Sequence, residues 1–225
     1  HIITISNFSK EDIIRQYNLP KEKITVAYPG YDSDKFKVKS SKLKGDRYII
    51  YIGTIQPRKN LMRLMEAVYR IDNLNLIVVG KTKGEGRQGW MYEDILKTPK
   101  DLGIEDRVKF LGFVPTEDLV DLLSKALAFV QPSLWEGFGI PVVEAMACGV
   151  PVIVSNVSSL PEVAGKAGLL IDPYSVDQIE QAISTITTDK KLRQKYSKAG
   201  IVQAQKFSWE KMAKEVLKVF ERVGS

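Results

Sequence analysis

The feature that most constrains this chain is a regular alternation of short apolar runs with segments of helical period, from Tyr48 onward. The runs Tyr48–Ile52, Leu76–Val79, Val108–Leu111, Ala128–Gln131 and Val152–Val154 have strand length and no polar alternation, the pattern of strands buried on both faces. Between them, Leu61, Leu64, Met65 and Val68 repeat at helical spacing. Leu119, Leu122, Leu123 and Ala126 do the same, with Thr116 as the predicted N-cap. Repeated βα units predict an α/β fold: a Rossmann-like, doubly wound parallel sheet with helices on both faces. Such sheets bind ligands on the loops leaving the carboxyl ends of their strands, here the segments after Ile52, Val79, Leu111 and Gln131.

The two ends differ from this middle. The chain opens on HIITIS, an apolar strand-like run without an initiating methionine, and reads as a cut through a longer protein. After Leu169–Ile171 three helical patterns follow: Val176, Ile179, Ile183 and Ile186; then Asp189 to Lys206; then Trp209 through Phe220. The last begins at a predicted N-cap, Ser208, and carries Trp209, Met212, Ala213, Val216, Leu217 and Phe220 on one face. That face is expected to complete the core of this domain; the alternative is that it serves a missing neighbour.

Composition narrows the chemistry. Hydrophobic residues make up 44% of the 225, enough for a substantial core. The one cysteine, Cys148, excludes an internal disulfide framework, fits a reducing compartment, and reads as a buried structural thiol. His1 is the sole histidine, so histidine triads and polyhistidine metal sites are excluded within this chain. The net charge of +6 owes much to the stretch from Lys35 to Arg47, which reads as a solvated connection or as an attraction for anionic partners, a membrane surface included. No apolar run approaches transmembrane length, and no signal-peptide pattern is present.

Two loops carry the chemistry. GTIQPRKN, Gly53 to Asn60, follows the first sheet strand. Its glycine lets backbone approach a ligand, and Arg58 and Lys59 add cations at a helix entrance that already favours anions, a combination suited to a diphosphate. Read alone, the same loop is equally a tight turn with two solvated charges. PSLWEGFGIPVVEAMACG, residues 132 to 149, follows Ala128–Gln131. Gly137 and Gly139 permit a sharp loop, a helix is expected to start near Pro141, and Gly149 should stop it. Glu136 and Glu144 flank the glycines. Beside a phosphate they make sense as acceptors for the hydroxyls of a ribose and a hexose; otherwise one caps its own helix and the other lies on a solvated surface.

EGFGIPVVE, Glu136–Glu144, resembles the E-x7-E motif of the large retaining glycosyltransferase family commonly numbered four, of GT-B architecture. GTIQPRKN resembles that family's phosphate loop and RVKFLGFVP its base-binding strand and turn; SSLPEVAGKAGLLIDP is similar to the stretch after the motif. FSWEKMA resembles the start of its closing helix, here 208–223, and TISNFSKEDI the lead-in from the acceptor domain, so residues 1–20 would join an N-terminal domain to a C-terminal nucleotide-sugar-binding one spanning 1–225.

The resemblance implies roles. Glu144 would bind the ribose hydroxyls; Arg58 and Lys59 would neutralise the diphosphate as it departs, beside Gly53. Glu136 would hold the transferred sugar, with the Gly137 turn and the backbone amides of Phe138, Gly139 and Ile140 facing phosphate or sugar. Phe113 and Val114 would line the base pocket. The catalytic set is then Glu136, Arg58 and Lys59, with no metal and no other cofactor, and front-face substitution, aided by the leaving phosphate, retains configuration without a side-chain base. Thr54 departs from the family's frequent arginine, shifting phosphate contact toward Arg58 and Lys59.

The form of GTIQPRKN resembles members that use mannose, implying GDP-mannose over a UDP-sugar such as UDP-glucose. The acceptor would be a glycan or lipid-linked, held by the missing domain, and the protein cytoplasmic, visiting the inner membrane face. A non-catalytic nucleotide-sugar-binding module is the alternative. Gly84, Gly86 and Gly89 satisfy G-x-G-x-x-G but lie too far past Val79 for a dinucleotide turn, and GKT at Gly80–Thr82 lacks the earlier glycine of a Walker loop, Asn75 standing there instead. Phe110, Phe113, Trp135 and Phe138 lack the dense basic stripe of a nucleic-acid binder.

Overall fold

The computed structural model describes residues 1–38, 47–81 and 92–224. Gly84, Gly86 and Gly89, Thr82, and positions 39–46 of the basic stretch lie outside them.

Six parallel strands form the main sheet: β3 (Tyr48–Ile52), β4 (Asn75–Val79), β5 (Val108–Gly112), β6 (Phe129–Gln131), β7 (Val152–Ser155) and β8 (Gly168–Ile171). The spatial order is β5-β4-β3-β6-β7-β8, so the chain winds outward in one direction from β3 and in the other from β6. Every strand expected from the apolar runs is present within a residue or two.

Alternate residues of the four inner strands feed two cores, while the edge strands β5 and β8 face one core and leave Leu111 and Leu170 exposed. Ile50, Phe129, Val152 and Val154 face one side, against α4 (Thr116–Lys125), α5 (Ile140–Ala147) and α6 (Leu160–Ala164). Ile49, Tyr51, Val130 and Ile153 face the other, against α2 (Leu61–Tyr69), α3 (Tyr92–Asp101) and α7 (Val176–Thr188). Burial on both faces is why the inner strands read as unbroken apolar runs. Val108–Leu111, expected to be buried on both faces, is instead an edge strand whose Lys109 and Leu111 face outward. Helix α8 (Lys190–Ala204) touches both cores, through Leu192 and Tyr196 on one side and Ala199 and Ala204 on the other.

A smaller unit precedes the sheet. Strands β1 (Ile2–Thr4) and β2 (Ile24–Val26) pair in parallel across α1 (Asn7–Tyr17), which Ser6 caps by accepting from the Ser9 amide at 3.0 Å. Helix α9 (Trp209–Val223) starts at Ser208 as expected, its hydroxyl accepting from the Lys211 amide at 3.2 Å. It reaches back to this unit, where Arg222 meets the His1 ring.

Two expectations are corrected. Pro115, not Thr116, occupies the cap of α4, and Thr116 is the first helical residue, making no side-chain cap bond. The apolar face of α9 does not complete the core: Val219 is buried, while Trp209, Leu217 and Phe220 are 52%, 55% and 66% exposed. The segment is helical, but most of its apolar face is exposed.

Candidate active site

The winding reverses between β3 and β6, and a crevice opens at the carboxyl ends of strands at such a point. Both loops singled out in the sequence sit there. The β3 loop runs through a 3₁₀ turn, Pro57–Lys59, ended by Asn60 in the left-handed region. The β6 loop is tied to it by the Leu134 amide, which donates to the Arg58 carbonyl at 2.8 Å. Asn60 Nδ2 donates to the carbonyls of Pro132 at 3.0 Å and Pro173 at 2.6 Å, fixing three loops together.

At the centre lies Glu136, buried at 6% exposure. Its Oε1 accepts from Lys59 Nζ at 2.5 Å and Gln131 Nε2 at 2.7 Å, and its Oε2 from Arg58 Nη1 at 3.2 Å. Arg58 also donates to the Trp135 carbonyl at 2.9 Å. Burial alone would raise the Glu136 carboxyl; the hydrogen bond and charge of Lys59, with Gln131, outweigh it and hold the group below the usual carboxylate range. Burial pulls Lys59 down, partly offset by Glu136, and the charge of Arg58 adds to the pull. Two cations against one carboxylate leave a net positive charge in the crevice, and the half-exposed Arg58 side chain presents it to solvent.

The glycines shape the crevice. A Cβ on Gly80, at the end of β4, would lie 1.9 Å from the Gly53 carbonyl oxygen, so the backbones at these two strand ends touch. Gly139 has φ +105°, and a side chain there would also meet Leu160 at 2.8 Å. With Gly139 as N-cap and Pro141 in the first turn, α5 begins where the sequence placed it. Among the described residues, none accepts a hydrogen bond from the amides of Gly137, Phe138, Gly139 or Ile140. The Ser159 hydroxyl meets the carbonyls of Glu136 at 3.0 Å and Phe138 at 2.9 Å, and the Ser158 hydroxyl accepts from the Glu136 amide at 3.2 Å. The Phe138 side chain is buried against Tyr28 and Phe207.

Gly53, Arg58, Lys59, Glu136, Gly137, Phe138, Gly139 and Ile140 are thus gathered at one crevice. Glu144 does not join the ion cluster. It lies one turn into α5, where burial, reinforced by the charge of Asp32, pushes its carboxyl up to about 7. Phe113 and Val114 follow β5, two strands from β3 and so about 10 Å across the sheet at the usual strand spacing. Phe113 is 78% exposed, and Val114 packs on the core. Gln131, Ser158 and Ser159 were not singled out from the sequence; a strand-end glutamine and a serine pair give no local signal. Among the described residues, the buried Gln131 Oε1 and Ser155 Oγ, at the ends of β6 and β7, lack a partner, a polarity a dry core would not hold. Among the described residues no three His, Cys, Asp or Glu side chains come together so as to hold a metal ion.

Comparison with known proteins places the chain in a family and its fold among solved structures. The family model described as glycosyl transferases group 1 matches residues 32–203. The O-antigen chain mannosyltransferase B of Escherichia coli is 37% identical over 230 residues, covering 98% of this chain and 60% of that protein. The O-antigen chain mannosyltransferase RfbU of Salmonella typhimurium is 35% identical over 188 residues, covering 83% of this chain and 50% of that protein. Among solved structures, sucrose-phosphate synthase from Thermosynechococcus elongatus matches with TM-score 0.88 and 26% identity over 98% of this chain and 57% of that one. Anabaena Alr3699/HepE in complex with UDP-glucose has the same fold, with TM-score 0.86 and 22% identity over 98% of this chain and 63% of that one. The chain thus spans about half to three fifths of the length of these relatives.

Proposed function

The chain belongs to the group 1 glycosyl transferases, and on that premise we propose that it is the donor-binding domain of a retaining hexosyltransferase that uses a nucleotide diphosphate sugar. The observation that carries this reading is the Arg58–Lys59–Glu136 cluster at the reversal point of the sheet. A diphosphate seated there draws Arg58 and Lys59, and the amides of residues 137–140 face it across the crevice. Glu136, held ionised by its neighbours, accepts hydroxyls of the sugar to be transferred. Glu144 takes the ribose hydroxyls, and Phe113 with Val114 bounds the base, a span matching the two-strand step from β3 to β5.

In transfer, the bond from the anomeric carbon to the phosphate oxygen breaks and the leaving group gains negative charge. Arg58 and Lys59 are placed to stabilise that charge without rearrangement, which lowers the barrier. The acceptor hydroxyl approaches the same face, gives its proton to the leaving phosphate oxygen, and bonds to the anomeric carbon, so configuration is kept. No metal or other cofactor enters this scheme. The acceptor, a glycan or lipid-linked sugar, is held by residues outside this chain, and the described helices include none long and apolar enough to cross a membrane. The names of the Escherichia coli and Salmonella relatives favour mannose, hence GDP-mannose.

The test is incubation of the complete protein with GDP-α-mannose and an oligomannoside primer, read by NMR of the new anomeric proton. An α-linked product is expected. A β-linked product overturns retention, and donor binding without transfer would make the protein a binding module instead.

A further inference from the structure

Glu162, on α6, reaches across 154 residues of sequence to the first turn of α1. Its Oε1 accepts from the Phe8 amide at 3.0 Å; its Oε2 accepts from the Asn7 amide at 3.1 Å, Asn7 Nδ2 at 3.1 Å and the Tyr28 hydroxyl at 2.9 Å. A carboxylate facing free amides and the positive end of a helix is a charge-assisted cap, supplied here by a distant element. Burial, then the bond to Glu162, pushes the Tyr28 phenol up to about 12, so it remains a donor at neutral pH.

What α1 touches gives this contact its meaning. The Phe8 ring meets the Trp135 ring edge-on at 6.3 Å, the Ser9 hydroxyl donates to the Gly137 carbonyl at 3.4 Å, and Ile5 lies where a Cβ on Gly137 would meet it at 3.4 Å. The outer wall of the loop carrying Glu136 is therefore the small N-terminal unit. Its inner wall is the turn before α6, where Ser158, in the left-handed region, and Ser159 hold the backbone of residues 136 and 138. One five-residue helix thus grips the loop at its start and the unit behind the loop through Glu162.

We propose that Glu162 is a positioning residue for sugar transfer: by anchoring α1 to α6 it fixes the loop that carries Glu136 in register with Arg58 and Lys59. This rests on the donor-site reading above. Glu162 touches neither donor nor reacting atoms; it acts through Phe8, Ser9 and Trp135.

The experiment uses the complete protein, with Glu162→Ala and the isosteric Glu162→Gln, whose amide turns an N–H toward groups that must donate. With GDP-mannose as donor, kcat is expected to fall by about tenfold or more, since small misplacements near reacting groups are costly. The donor dissociation constant should stay within about threefold, because Arg58, Lys59 and Glu136 remain. In a background with Trp90 and Trp209 replaced by Phe, acrylamide quenching of Trp135 fluorescence should increase in both variants. An unchanged kcat with unchanged quenching overturns the proposal. So does a kcat loss matched by equal losses of donor affinity and melting temperature, the mark of a merely structural residue. If the wild-type protein neither binds nor turns over any nucleotide sugar, the donor-site reading fails instead, while quenching still reports whether Glu162 holds the loop.

Discussion

Lys59 Nζ lies 2.5 Å from Glu136 Oε1, joining two loops 77 residues apart in sequence beneath the surface of the crevice. The pair is a structural brace as well as a proposed catalytic element, and the two roles separate experimentally. Removing Lys59 leaves a buried carboxylate with Arg58 as its remaining cation, so Lys59→Ala is expected to cost about 2–4 kcal/mol of stability. Combined with Glu136→Gln it should cost less than the sum of the single changes. Urea denaturation of the three variants checks this.

The same pair sets an acid limit. The folded Glu136 carboxyl lies below its unfolded value, so its contribution is complete above the ordinary carboxylate range, about pH 4.3, and is lost as pH falls below that. Melting temperature followed from pH 6 down to 3 should drop more steeply in wild type than in the Lys59→Ala, Glu136→Gln double variant.

Glu144 behaves oppositely. Its folded value near 7 lies above its unfolded one, so the protein carries no penalty below about pH 4.3 and loses stability as pH rises through 7. Glu144→Gln is expected to stabilise by about 2 kcal/mol at pH 8 and by little at pH 4. If ribose hydroxyls donate to this carboxylate, donor affinity rises with pH across the same range, and Glu144→Gln flattens the rise. Calorimetry at pH 6, 7 and 8 distinguishes these outcomes, and Asp32→Asn should shift the midpoint downward.

The strand-end glycines give a steric prediction. Gly80→Ala drives a methyl group into the Gly53 carbonyl, and neither backbone can yield without parting β3 from β4. A loss of about 2–4 kcal/mol is expected from chemical denaturation.

On α9, Phe220→Ser should change the stability of this chain by no more than about 0.5 kcal/mol, while Val219→Ala should cost about 1–2 kcal/mol. The contrast shows what a helical period leaves open. The four inner strands of the sheet are legible because each is buried on both faces and so lacks polar interruption. The edge strands β5 and β8 keep the apolar run but leave Leu111 and Leu170 exposed, and the two site loops are legible because glycine and charge cluster at strand ends. The α9 stripe has a true helical period, yet periodicity reports that a face is apolar and not what it meets. Glu162 is invisible for another reason: its partners, Asn7, Phe8 and Tyr28, are brought to it by tertiary folding alone. Arg58, Lys59 and Glu136 were each identified separately, but their mutual ion pairing was not foreseen, since nothing local joins residues 77 and 78 positions apart.

The most direct test of the central claim is calorimetric titration of this chain with GDP-mannose, before and after Arg58→Ala and Lys59→Ala. Binding with a dissociation constant between about 1 μM and 1 mM is expected, weakened by about 1–3 kcal/mol in each variant, as befits a lost charge-assisted hydrogen bond. Equal affinity in wild type and both variants would contradict the claim that a diphosphate sits between these two cations.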